Sequence, residues 1–163
     1  MNRLICILLC ACFLLSGCSI SGERIKEPVV FYYVREDYQK DMKPVIASEI
    51  REASGHSGDL AYLLALYSMG PSQKDLKAAL PRNTKIVPSD CTEESIVLTL
   101  SESALTMTEA DFTLASACIA LTCMEFTDIY QVTVSCGERN ITMQKDTILL
   151  DQNLLDNPQE EIK

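Results

Sequence analysis

Apolar and polar positions divide the 163-residue chain into regions of different character. Leu4 to Leu15 is an almost unbroken apolar run behind Arg3. At about a dozen residues it is too short to cross a hydrocarbon core of about 30 Å, and it reads as the h-region of a secretory signal. From Ser19 to Pro28 the chain is polar and carries Gly22 and Pro28, the pattern of a short tether. A folded domain begins at Val29, where Val-Val-Phe-Tyr-Tyr-Val runs to Val34 as a β-branched and aromatic stretch suited to a strand covered on both faces. Arg35 to Lys43 is charged and reads as a solvated loop, Pro44 to Arg51 as a short second strand or an extended edge, and Ala53 to Gly58 as a glycine-bearing loop.

Helical spacing follows. Leu60, Leu63, Leu64 and Tyr67 recur as one buried stripe, with Asp59 placed to cap the first turn. Gly70 ends that helix in a left-handed conformation, and Pro71 prevents its resumption. Ser72-x-x-Asp75 has the form of a capping box and predicts a short helix through Leu76 and Leu80, after which Pro81 to Thr84 turns the chain. Lys85 to Pro88 pairs with Glu94 to Leu100, where Ile96, Leu98 and Leu100 share a face. Thr108-x-x-Asp111 opens a second long helix through Glu125 that is apolar over most of its circumference. Such a helix is buried against the sheet, or against the sheet and a neighbouring subunit. Tyr130, Val132, Val134 and Cys136 alternate with polar residues as a half-buried strand, and Ile141 to Leu150 reads as a last hairpin arm. The order β-α-β-β-α-β predicts a small two-layer α/β sandwich, a mixed sheet with two main helices on one face.

Leu15-Ser16-Gly17-Cys18 closes the signal run and resembles the bacterial lipobox: an aliphatic residue, two small residues and a cysteine. The resemblance implies that the Cys18 sulfur takes a diacylglyceryl group and that cleavage leaves Cys18 as the N-terminus, a task suited to the most nucleophilic side chain near neutral pH. Two or more acyl chains anchor durably where one binds marginally. The competing readings are a plain secretory signal with an incidental Cys18 and an uncleaved short anchor. The resulting division is residues 1–17 signal peptide, 18–28 lipidated cysteine and tether, 29–150 folded domain and 151–163 acidic flexible tail. Charge fits an anchor made by lipid: 14 basic against 23 acidic residues give −9, which opposes nucleic acid and anionic lipid as electrostatic partners. Aromatics are only 6% and Trp is absent, which weakens a carbohydrate-stacking platform.

Leu63-Leu64, Gly70-Pro71, Leu76, Leu80-Pro81 and Thr84-Lys85-Ile86-Val87, then Thr122 before Glu125-Phe126 and Ile129 to Gly137, stand in the order and spacing of the GerMN domain. The sequence resembles that family of sporulation and spore-germination proteins from about Val29 to Gly137. It departs at Cys123, where leucine is common, at Cys136, which replaces an acidic residue, and at Leu105 to Thr108, where Asp-Leu-Ser is usual. The resemblance implies a fold like the ring-building motif of secretion and sporulation complexes, in which one copy's helices pack on the next copy's sheet edge. Gly70, Pro71, Pro81, Thr84, Thr122 and Gly137 are its structural motif positions, and it brings no catalytic residue.

Candidate chemistry is sparse. Cys118 and Cys123 lie five apart on a helix, about 500° of turn, and point some 140° away from each other, so they form no direct bridge. Cys91 near a strand start and Cys136 at a strand end are a candidate disulfide, since export permits one. Buried apolar roles suit Cys118, Cys123 and Cys136. His56 is the one histidine and reads as a solvated loop residue; a dyad with a cysteine meeting it in space is the alternative. No Cys-x-x-Cys or His/Cys cluster supports a metal, and no glycine-rich phosphate loop supports a nucleotide cofactor. Glu93-Glu94 and Glu160-Glu161 sit in a turn and a tail, where nothing separates their pKa values for acid-base work. Asn140-Ile141-Thr142 has the form of a glycosylation acceptor but reads as an ordinary turn into a strand.

These readings point to a membrane-anchored protein on the outer face of the cell membrane that makes protein contacts or self-associates and is not an enzyme. A monomeric binding module for peptidoglycan or a small envelope ligand is the alternative, and a thiol-dependent hydrolase the third.

Overall fold

A computed structural model of the chain describes residues 27–37 and 44–149. Within them the elements run β1 (Pro28–Arg35), β2 (Ile46–Glu52), α1 (Leu60–Ser68), β3 (Leu76–Lys77), β4 (Ile86–Cys91), β5 (Ser95–Leu100), a 3-10 turn (Glu102–Thr106), α2 (Glu109–Phe126), β6 (Gln131–Cys136), β7 (Arg139–Gln144) and α3 (Lys145–Leu149). This is a mixed α/β fold. Its strands form two sheets and not the single sheet expected, in the orders β2-β1-β3 and β4-β5-β6-β7. The second sheet is mixed because β5 and β6 run parallel, with Ile96 opposite Val132 and Leu98 opposite Val134. Parallel neighbours need a crossover, and the 3-10 turn with α2 supplies it.

The apolar run of β1 is buried from Phe31 through Arg35, so both its faces are covered as the pattern predicts. Phe31 and Tyr33 enter the main core, where Tyr33 stacks on Tyr67 of α1 at 4.8 Å between centroids. Helix α2 explains its own composition. It packs on β1 of one sheet and on β6 and β7 of the other, and every residue from Cys118 to Met124 is buried. A helix clasped on opposite sides needs no polar stripe, so its apolar circumference is used within the chain and a neighbouring subunit is not required to cover it.

The expected caps form. Asp59 accepts from the Tyr62 amide at 3.1 Å, and Thr108 from that of Asp111 at 3.1 Å. The helix expected from Ser72 to Leu80 does not. Ser72 cannot cap it, because its amide and hydroxyl both donate to Glu49. Leu76 and Lys77 instead pair with Arg35 and Val34 as the short third strand of the first sheet. A helix of so few residues before Pro81 also repays little of its nucleation cost. The arm expected from Ile141 to Leu150 begins earlier, as β7, and ends in α3.

Candidate functional site

The motif positions occupy separate joints of the fold. Gly70 takes φ +84° at the end of α1, where its carbonyl and that of Leu66 accept from Arg51 of β2 at 3.1 and 3.3 Å. Arg51 also lies over the Phe31 ring at 5.5 Å. Two residues back along the same strand face, Glu49 is 2% exposed and receives the amide of Ser72, just past Pro71, at 3.0 Å. A cation thus closes the carbonyl end of α1, and an anion closes the turn after it. Sequence reasoning missed this pair. The available signal was two charges at i and i+2 on a strand whose Ala47, on that face, is buried.

Pro81 accepts from the Thr84 amide at 3.2 Å across Asn83, which has φ +65°. Thr84 is buried, and its hydroxyl meets that of Ser103 at 2.9 Å. Ser103 meets Ser101, which in turn accepts from the Lys85 amide at 3.0 Å. These hydroxyls bind the entry of β4 to the exit of β5. Thr122 is fully buried on α2, donates to the Cys118 carbonyl at 2.8 Å and accepts from the Tyr32 amide at 2.9 Å. That amide lies on the edge of β1 that β3 reaches only at Val34 and Arg35, so Thr122 pairs a strand-edge donor that would otherwise be buried without an acceptor. Gly137, at φ +60°, leads the two-residue turn from β6 to β7, where glycine is favoured in a type II′ hairpin. A Cβ there would meet Leu105 at 3.2 Å.

Arg139, after that turn, is a second missed cap. It donates to the carbonyls of Ala104 and Met107 at 2.7 and 3.0 Å, closing the 3-10 turn, and its guanidinium sits 4.5 Å from the Phe112 ring centroid.

The cysteine pairing expected between Cys91 and Cys136 does not form, and all four described cysteines are free. Cys91 lies opposite Ile96, and Ile96 opposite Val132, four residues before Cys136 on β6. That offset is about 13 Å along the strands, beyond the roughly 7 Å limit for bridged Cα atoms. Cys136 is buried, with its thiol toward the Ser101 carbonyl at 3.6 Å, while Cys91 is exposed. Burial raises the Cys118 thiol far above its ordinary range and pushes Cys123 up to about 12. Both are therefore protonated near neutral pH, a poor state for a nucleophile. His56 is exposed and stacks on Tyr62 at 4.3 Å. Glu93 and Glu94 are exposed in the β4–β5 turn. Cys18 and Glu160-Glu161 lie outside the described residues.

Two of the clefts on the surface of the described residues bear on the site. One of about 410 Å³ lies between β1 and the end of α2, lined by Tyr32, Leu121, Met124, Glu125, Asp128 and Lys145. Desolvation first, and then Glu125, pushes the Tyr32 phenol up to about 12. The other, about 320 Å³, runs along the Lys77 to Pro81 segment to Leu114. No helix of the described residues is long and apolar enough to cross a membrane, and no group of three or more metal-ligating side chains occurs among them.

No protein-family model and no curated protein matches the chain. Among solved structures it is similar to the tandem GerMN domains of the sporulation protein GerM from Bacillus subtilis, at 13% identity and TM-score 0.49, over 70% of this chain and 40% of that one. It is similar to the first GerMN domain of the same protein at 14% identity and TM-score 0.47, over 69% and 86%. It is also similar to a provisionally designated lipoprotein from Clostridium perfringens at 19% identity and TM-score 0.45, over 78% and 94%.

Proposed function

We propose that the chain is a lipid-anchored protein of the outer face of the cell membrane whose single GerMN-like domain works by protein contact in envelope assembly, of the sporulation or germination kind that the motif order implies. The observation that supports contact over chemistry is where the motif residues stand. Gly70 and Pro71, Pro81 and Thr84, Thr122, and Gly137 each fix a different joint of the two sheets and do not converge on one cleft. They hold a shape, and a shape held at its joints is what a docking module presents. The test expresses the full chain and its Cys18→Ser variant in a Gram-positive host with a clickable fatty acid. Label and membrane association in the parent, both lost in the variant, are expected; an unlabelled parent refutes the anchor. Crosslinking in intact cells reads the contact: a chain that captures neither another protein nor itself refutes the assembly role.

The cleft beside Tyr32 favours a second reading, a binding module for a small envelope ligand. Tyr32, Glu125, Asp128 and Lys145 converge there on an apolar floor of Leu121 and Met124. Equilibrium dialysis against muropeptides decides it: saturable uptake abolished by Glu125→Ala supports this reading, and no uptake at millimolar ligand removes it.

A further inference from the structure

Opposite charges share the Tyr32 cleft without pairing. Its volume of about 410 Å³ falls among small-molecule sites, which span about 300–1,000 Å³. Leu121 and Met124, both buried on α2, form the floor. Glu125 in the last turn of that helix and Asp128 just beyond it supply two exposed carboxylates. Lys145, the half-buried first residue of α3, supplies an ammonium. Ion pairs among the described residues form at Arg35, Arg51 and Arg139, and Lys145 makes none with Glu125 or Asp128.

Local bonding fixes the walls. Thr122 accepts from the Tyr32 amide at 2.9 Å, and the Tyr32 phenol lies 3.5 Å from Glu125. Desolvation first, and then the Glu125 charge, keeps that phenol protonated at neutral pH, so it donates to Glu125 and engages only one of its two oxygens. At α3 the Lys145 amide donates to the Tyr130 carbonyl at 2.9 Å. The carboxylate beside it in sequence, Asp146, accepts from the Tyr130 hydroxyl at 2.9 Å.

Such a cleft selects a ligand by what each candidate leaves unpaired, because a charge removed from water without a partner costs more than the surrounding contacts return. A simple amine answers Glu125 and Asp128 but covers Lys145 unpaired. A simple acid does the reverse. A phosphate meets two like charges for one opposite. An apolar molecule desolvates every charge. An ammonium and a carboxylate on one carbon answer both signs, and an aliphatic chain attached to that carbon finds Leu121 and the adaptable thioether of Met124.

We infer that the cleft binds the zwitterionic head of an aliphatic α-amino acid, its ammonium at Glu125 and Asp128, its carboxylate at Lys145 and its chain on the floor of Leu121 and Met124. The inference rests on the binding-module reading and names the ligand class. Free amino acids carry this head, and so do stem peptides built with diaminopimelate, which present it at the end of an aliphatic arm.

Methionine-methyl NMR of the full chain in nonionic detergent reads the site through Met124, whose signal is assigned by its loss in Met124→Leu. Norleucine carries the complete head, pentylamine lacks only the carboxylate and hexanoate only the amine. Norleucine is expected to shift Met124 saturably with a Kd of about 1 mM or tighter, and each truncated probe to bind at least about tenfold more weakly, the worth of one charge-assisted hydrogen bond. Glu125→Gln is expected to weaken norleucine and pentylamine but not hexanoate; Lys145→Met is expected to weaken norleucine and hexanoate but not pentylamine. Displacement of norleucine by diaminopimelate-containing muropeptides supports the inference with the cell wall as source, and norleucine binding without displacement supports it with a free amino acid. A truncated probe that matches norleucine overturns the inference and leaves the cleft to a simpler ion. Muropeptide uptake without a norleucine shift also overturns it, while the binding-module reading stands. If neither binds, both fall and contact-making is untouched. The probe series needs no variant, so a substitution that fails to fold does not shield the inference.

Discussion

Replacing Thr122 separates the hydrogen-bonding role of its hydroxyl from the packing role of its methyl. The side chain is fully buried, and its Oγ1 receives the Tyr32 amide at 2.9 Å while donating to the Cys118 carbonyl at 2.8 Å. Thr122→Val keeps the shape and removes the acceptor, leaving a buried strand-edge amide unpaired at a cost of roughly 1–3 kcal/mol. The bond to Cys118 adds little to that loss, since this carbonyl lies within α2, where backbone bonding continues. Thr122→Ser keeps the acceptor and removes one methyl, about 0.8 kcal/mol of burial plus a small cavity term. For a domain of this size about 1 kcal/mol moves the midpoint by roughly 3–5 °C. Thermal and urea unfolding of the two variants should therefore place Val at or below Ser, with faster hydrogen exchange at the Tyr32 amide in Val alone. A Val variant as stable as the parent beside a weakened Ser variant would refute the reasoning and make Thr122 a packing residue only.

Glu49→Ala should cost roughly 2–3 kcal/mol in urea unfolding, because it strips the Ser72 amide and hydroxyl of a charged acceptor; a change under about 0.5 kcal/mol would show that the turn holds itself. Among Cys91, Cys118, Cys123 and Cys136, peptide mapping after brief iodoacetamide treatment at neutral pH should find Cys91 alkylated and the other three protected until denaturant is added. Alkaline pH should destabilise the fold. Tyr32, Tyr33 and Cys123 are all pushed up to about 12, from 10, 10 and 9, so their contribution is complete below about pH 9 and is lost as pH rises toward 12. Melting midpoints that hold level from pH 8 to 11 would contradict this.

Period and punctuation carried much of the fold. The aromatic run of β1, the Asp59 and Thr108 caps, the Gly70 stop and the alternation of β5 and β6 are local signals that tertiary structure left in place. The single-sheet reading failed at a non-local point. Nothing in the strands tells whether β1 pairs with β5 or whether α2 stands between them, although the all-round apolarity of α2 was the clue that two surfaces enclose it. Ser72 failed for a related reason: a capping hydroxyl was claimed by Glu49, 23 residues earlier in the chain. The motif positions were legible as positions, but their work was not, since Thr122 and Thr84 act on partners 90 and 19 residues away. The cysteine pairing required a register that only the assembled sheet supplies.

The same inward placement of charge bears on how copies of the chain meet. Arg35, Arg51 and Arg139 expose only 10, 18 and 20% of their side chains, and the latter two spend their donors on helix and turn carbonyls. Positive charge is thus withdrawn from the surface of a chain already at −9, and the exterior is more acidic than the net count suggests. Two such surfaces repel. At about 10 mM salt the repulsion reaches about 30 Å, and at 0.1 M about 10 Å. Self-association of copies through uncharged contacts, measured by sedimentation, should therefore rise as salt goes from about 10 to about 150 mM; a fall would mean that the copies are held by charge pairs.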